Sequence, residues 1–161
     1  MVSITVAAAR HGEVSRPSFS KSLSAWLNAT PSLVIGTVET ARWRAPGSPT
    51  PLVREEARAG LAAYERYLAP GPQEQTSAAL AVTLRMFFDR DFEPGVDEAV
   101  IEAWLMDLGD LPAWAVEHAC GLWRRTEEKR PTVAGIRRLA VAEIERDRET
   151  MRRLRLTLEV A

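Results

Sequence analysis

Two prolines set the helical register of the middle of this chain. The stretch from Trp104 to Arg138 reads WLMDLGDLPAWAVEHACGLWRRTEEKRPTVAGIRR. A proline has no N–H to donate and fixes φ, so a helix tolerates it only in its first turn. Pro112 and Pro131 therefore each mark a helix start. Asp110 is placed to cap the first of these helices and Thr132 the second, while Gly109 suits the end of the helix before them. Between the two starts Val116, Ala119, Cys120 and Trp123 recur by three or four, with Leu111, Ala115 and Leu122 widening the stripe. That spacing predicts a helix to about Thr126 with one side buried.

The flanking sequence follows the same grammar. Ala57, Leu61, Tyr64 and Leu68 predict a helix from Arg54 to the breaker Pro70-Gly71-Pro72. Ala79, Leu80, Leu84, Phe87 and Phe88 predict another over Glu74 to Asp89, and Val100, Ile101, Trp104, Leu105 and Leu108 a third over Val96 to Leu108. The last helix runs from Thr132 nearly to the end. The expected fold is all-α, a small helical bundle of about five helices with a long C-terminal helix and an irregular N-terminal segment. Three parts are expected: a weakly ordered extension over 1–53, a bundle core over 54–140, and a helical extension over 141–161. Within the first part, Leu23, Trp26 and Leu27 share one helical face, and Leu33, Val34, Ile35 and Val38 suit a second short helix. Val2, Ile4 and Val6 alternate as in a strand, and Ala45 to Pro51 reads as a linker.

Composition narrows the function classes. A hydrophobic share of 46% is enough for a core, and a net charge of −1 gives no global pull toward nucleic acid or membrane. One cysteine, Cys120, excludes an internal disulfide and fits a reducing compartment, so a cytoplasmic location is expected. The N-terminal apolar run lacks a basic leader, and no unbroken apolar run reaches the roughly 18 residues of a spanning helix. His11 and His118, the only histidines, stand without ligand-spaced partners. Cys120 falls on the apolar stripe, and no glycine-rich phosphate loop occurs. No catalytic residue, metal site or cofactor is expected, and the chain reads as a non-enzyme.

Candidate binding residues lie elsewhere. Arg124, Arg125, Lys129, Arg130, Arg137 and Arg138 bracket the turn before the last helix, opposed by Glu127 and Glu128. Cations suit a helix C-terminus, and the cluster also suits an acidic partner surface or phosphates. Trp114, beside the main stripe of its helix, is a candidate anchor for a partner. Ala140, Ile144, Met151, Leu154 and Leu158 follow heptad spacing with Asp147 at the one polar position, so Ile144, Met151, Leu154 and Leu158 are candidates for self-association into a homodimer.

Trp104, Leu108, Pro112, Ala119, Trp123, Arg130, Pro131, Thr132 and Ile136 together form a pattern over about Thr76 to Leu139. It resembles the phage and prophage replicative helicase loader and inhibitor proteins. The resemblance implies a small helical adaptor that binds a hexameric replicative helicase and an origin-binding protein. The chain departs from that family in its long N-terminal part and in a C-terminal segment that reads as helical. Self-association through the terminal heptads, and DNA binding by the basic turn, are the alternatives.

Overall fold

The computed structural model describes residues 15–29, 43–87 and 94–160, with the side chains of 94–97 excepted. Among the described residues there are six helices and no strand, so the fold is all-α: α1 (Lys21–Asn28), α2 (Pro51–Tyr67), α3 (Gln73–Phe87), α4 (Pro94–Leu108), α5 (Ala113–Thr126) and α6 (Val133–Glu159). None of them is long and apolar enough to cross a membrane. The expected strand at Val2 to Val6 and the short helix around Leu33 to Val38 lie outside the described residues.

The helices form two compact units with boundaries other than the expected ones. One unit comprises the described residues up to Tyr67 and from Asp147 onward, the other Leu68–Arg146. The bundle core expected over 54–140 is thus divided. The periodicity that reveals a buried stripe on α2 and on α6 does not say which neighbours cover it.

In the first unit α1 forms as Leu23, Trp26 and Leu27 predict. Ser20 accepts from the Leu23 N–H at 3.1 Å as N-cap, and Leu23 and Leu27 are buried. Trp26 donates through Nε1 to Thr157 Oγ1 at 3.2 Å on α6. Helix α2 begins at Pro51, earlier than the expected Arg54. Thr50 Oγ1 accepts from the Val53 N–H at 3.3 Å, so the Thr-Pro pair that read as linker is a helix start. Its buried face carries Val53, Ala57, Gly60, Tyr64 and Tyr67. Gly60 lets Phe19 lie close against α2: a Cβ there would stand 2.8 Å from the Phe19 ring, which would have to shift, and in ordinary contact with Leu154 at 3.6 Å. Trp43 is also buried, with the Arg153 guanidinium 5.8 Å from its ring centroid.

The second unit is built on α3, α5 and the first part of α6. Leu80, Leu108, Leu111, Ala115, Val116, Ala119, Cys120, Trp123, Ile136, Ala140 and Ile144 form its core. The stripe predicted on α5 is therefore its buried side. Leu122 is half-buried at its edge. Leu80, Ile136 and Ile144 are almost wholly excluded from water, and burial of a side chain of this size contributes about 1.5–3 kcal/mol each. Helix α4 ends at Leu108, where the Gly109 N–H donates to the Leu105 carbonyl at 2.8 Å, and a Cβ on Gly109 would stand 2.6 Å from that oxygen. Helix α5 starts without a side-chain cap, since Pro112 takes the N-cap position. Asp110, expected to cap it, turns its carboxylate to Arg137 instead. At the start of α6 the expected cap forms: Thr132 Oγ1 accepts from the Gly135 N–H at 3.1 Å.

Candidate functional site

The α5–α6 connection, Glu127 to Thr132, is held by the side chain that ends α5. Trp123 lies with its ring against Gly135 and donates from Nε1 to the Lys129 carbonyl at 3.0 Å. A Cβ at Gly135 would meet two atoms of that ring at 2.5 and 2.7 Å, so the close approach of α6 to Trp123 depends on glycine. Pro131 is buried beneath the turn, while Glu127, Glu128, Lys129 and Arg130 are exposed. A rigid indole thus presents a charged surface segment.

The six basic residues expected here divide into two groups. Arg137 is consumed by the fold: its guanidinium meets Asp110 bidentately at 2.6 and 2.7 Å and also donates to the Asp107 carbonyl. Such a fork-to-carboxylate pair is geometrically specific, and it ties α6 to the loop before α5. Arg124 donates to Thr83 Oγ1 at 2.6 Å on α3, and Thr83 in turn back-bonds to the Ala79 carbonyl at 2.7 Å. Arg125, Lys129, Arg130 and Arg138 are exposed. Gly121 lies beneath the two arginines at the end of α5, since a Cβ there would be 3.3 Å from Arg125 and 3.8 Å from Arg124. An added methyl at that position would press only on the Arg125 guanidinium, which needs to give by a few tenths of an ångström, and would stand in ordinary contact with Arg124.

The remaining sequence candidates fall as follows. Trp114 is half-buried and packed against the core of the second unit, so part of the ring is committed to the fold. Ile144 and Leu154 are buried inside the chain, at 1% and 0% exposure, while Met151 and Leu158 are half-buried. The seam expected to face a second copy is in part the chain's own core. Asp147, its polar position, is also buried and held by Arg16 at 2.5 Å. Heptad spacing marks an apolar stripe, and here neighbours from the same chain reach it first.

His118 is about half-exposed and stands 3.4 Å from Glu143, across from α5 to α6. Cys120 is fully buried, and burial pushes its thiol above the ordinary value, which keeps it neutral. Among the described residues no group of three or more His, Cys, Asp or Glu side chains is placed to hold a metal ion. The residues that sequence reasoning missed are structural ones with long-range partners, namely Trp43, Arg16 and Thr83. No protein-family model, curated protein or solved structure matches the chain.

Proposed function

We propose that this chain is a non-enzymatic adaptor of phage or prophage type that docks on a protein partner through the α5–α6 turn. The partner implied by the resemblance is a hexameric replicative helicase. The observation that supports a docking role is the pinned turn itself. Arg125, Lys129, Arg130 and Arg138 stand exposed around a segment fixed by Trp123 and Gly135, and a rigid charged surface loses less freedom on binding than a mobile one. Its sign suits an acidic surface on the partner, which speeds encounter and sets orientation.

The test is pull-down and calorimetry with a purified replicative helicase, comparing the parent with an Arg125→Glu, Lys129→Glu, Arg138→Glu variant. Arg124 and Arg137 are left intact, because their loss would disturb the fold. Binding by the parent at micromolar concentration, weakened at least about tenfold in the variant, is the expected result. Absence of binding by the parent, or equal binding by both, overturns the proposal.

A further inference from the structure

Helix α4 presents apolar residues on both sides. Its inner side is anchored: Leu108 is fully buried, and Trp104 and Leu105 pack against the core of the second unit. At 100° per residue, Met106 lies about 160° around the helix from Leu108, and it is 88% exposed. Ala99 and Ala103, both exposed, precede Met106 at intervals of four and three residues. The outer side therefore carries a short seam of the kind that receives a second helix. Helix α3, which packs beside α4, adds Val82 and Met86, 53% and 65% exposed and one turn apart. Most large exposed apolar side chains among the described residues thus belong to this helix pair.

Charge decides what fits there. Along α4 the sequence PGVDEAVIEAWLMDL contains acids and no lysine or arginine. Glu102 immediately precedes Ala103 and Asp107 immediately follows Met106. These are the positions that border a helical seam and select the charge of the opposing helix. Both are exposed, as is Glu98 one turn earlier. A second copy docking α4 on α4 by two-fold symmetry would set Glu102 and Asp107 against the same acids, so the flanks disfavour it.

We infer that α4 is a docking face for an amphipathic helix of a partner protein whose apolar seam covers Met106 and whose flanks are basic. This surface is separate from the basic turn. An adaptor built this way engages one partner of each charge.

The probe is a synthetic Leu/Lys amphipathic helix of about three heptads, with a Leu/Glu helix of the same apolar face as comparison. Binding is read by fluorescence polarisation to the full chain at moderate salt. The Leu/Lys peptide should bind and the Leu/Glu peptide should not. Met106→Asp, at an exposed position that leaves the fold intact, should weaken binding at least about tenfold. A Glu98→Lys, Glu102→Lys variant should exchange the preference in favour of the Leu/Glu peptide. The Arg125→Glu, Lys129→Glu, Arg138→Glu variant should bind the Leu/Lys peptide as the parent does, which separates this face from the proposed turn interface. The inference is overturned by no binding, by equal binding of both peptides, or by indifference to Met106→Asp. It is also overturned if a photo-crosslinker at position 106 joins two copies, or joins another segment of the same chain.

Discussion

Arg16 and Asp147, separated by 131 positions, form a close ion pair in which the aspartate is almost wholly buried and the arginine about half-exposed. Tyr64 stands beside both, and burial pushes its phenol above the ordinary value. The pair explains why α6 tolerates a carboxylate in an otherwise apolar stripe. Arg16→Ala removes the charge partner and leaves Asp147 buried. The expected loss is about 1–3 kcal/mol, toward the lower end because the arginine is solvent-accessible. Asp147→Leu added to that variant should restore much of it, since an apolar replacement leaves no uncompensated charge. Urea midpoints of the three proteins test both statements; a double variant no more stable than Arg16→Ala would refute the second.

Glu149 supplies a pH signature in the same unit. Hydrogen bonding from Arg152 first, opposed by partial burial and aided by Arg153, draws its carboxyl from 4.5 down to about 2. Arg153 also donates to the Leu27 carbonyl at 2.9 Å, so the carboxylate helps hold α1. A depressed folded-state value means that the unfolded chain takes up the proton first as pH falls. The stabilisation is complete above the unfolded value and fades as pH drops from 4.5 toward 2. Glu149→Gln should therefore be less stable than the parent near neutrality, with the gap narrowing through that window. Solvent exposure keeps the effect small. A gap that widened on acidification would contradict the assignment.

Gly135 tests the packing that fixes the basic turn. Alanine is the better helix former by about 1 kcal/mol, yet the added methyl would collide with the Trp123 ring, which its bond to the Lys129 carbonyl holds in place. Gly135→Ala should be destabilising by about 1–3 kcal/mol despite its propensity. Thermal unfolding and near-UV circular dichroism read the cost and the displaced indole. A more stable variant would mean that the turn yields easily, which would weaken the case for a preformed surface.

How much of this was legible in the sequence depends on range. Helices α2 to α6 follow from local signals within a few residues, such as Pro131 with Thr132, or Leu80 with Leu84. The boundary at Pro51 was misplaced because Thr50-Pro51 serves equally as linker or as cap and first turn. For the candidate site, the sign of the charge at Arg124 and Arg137 was legible but its availability was not. Thr83 and Asp110, which occupy them, lie 41 and 27 residues away. Nothing in a single helix states such a pairing. The same holds for Asp147, where spacing marked the stripe and only the fold shows that Arg16 reaches it.

Ile144 and Leu154 carry the sharpest contrast between stripe and seam. If they formed a dimer contact, an aspartate at either site would yield a folded monomer. Ile144 belongs to the core of the second unit, and Leu154 lies fully buried in the first, near Gly60. A carboxylate at either position enters a fully buried site that now holds an apolar side chain, so its charged form loses its hydration and the side chain is driven to stay neutral or to push the helix outward. Ile144→Asp and Leu154→Asp should each cost several kcal/mol and lower the helical circular dichroism signal rather than merely change the mass. Light scattering run beside circular dichroism separates the outcomes. A fully helical variant that halves in mass would restore the seam as an interface between copies and displace the intramolecular packing described above.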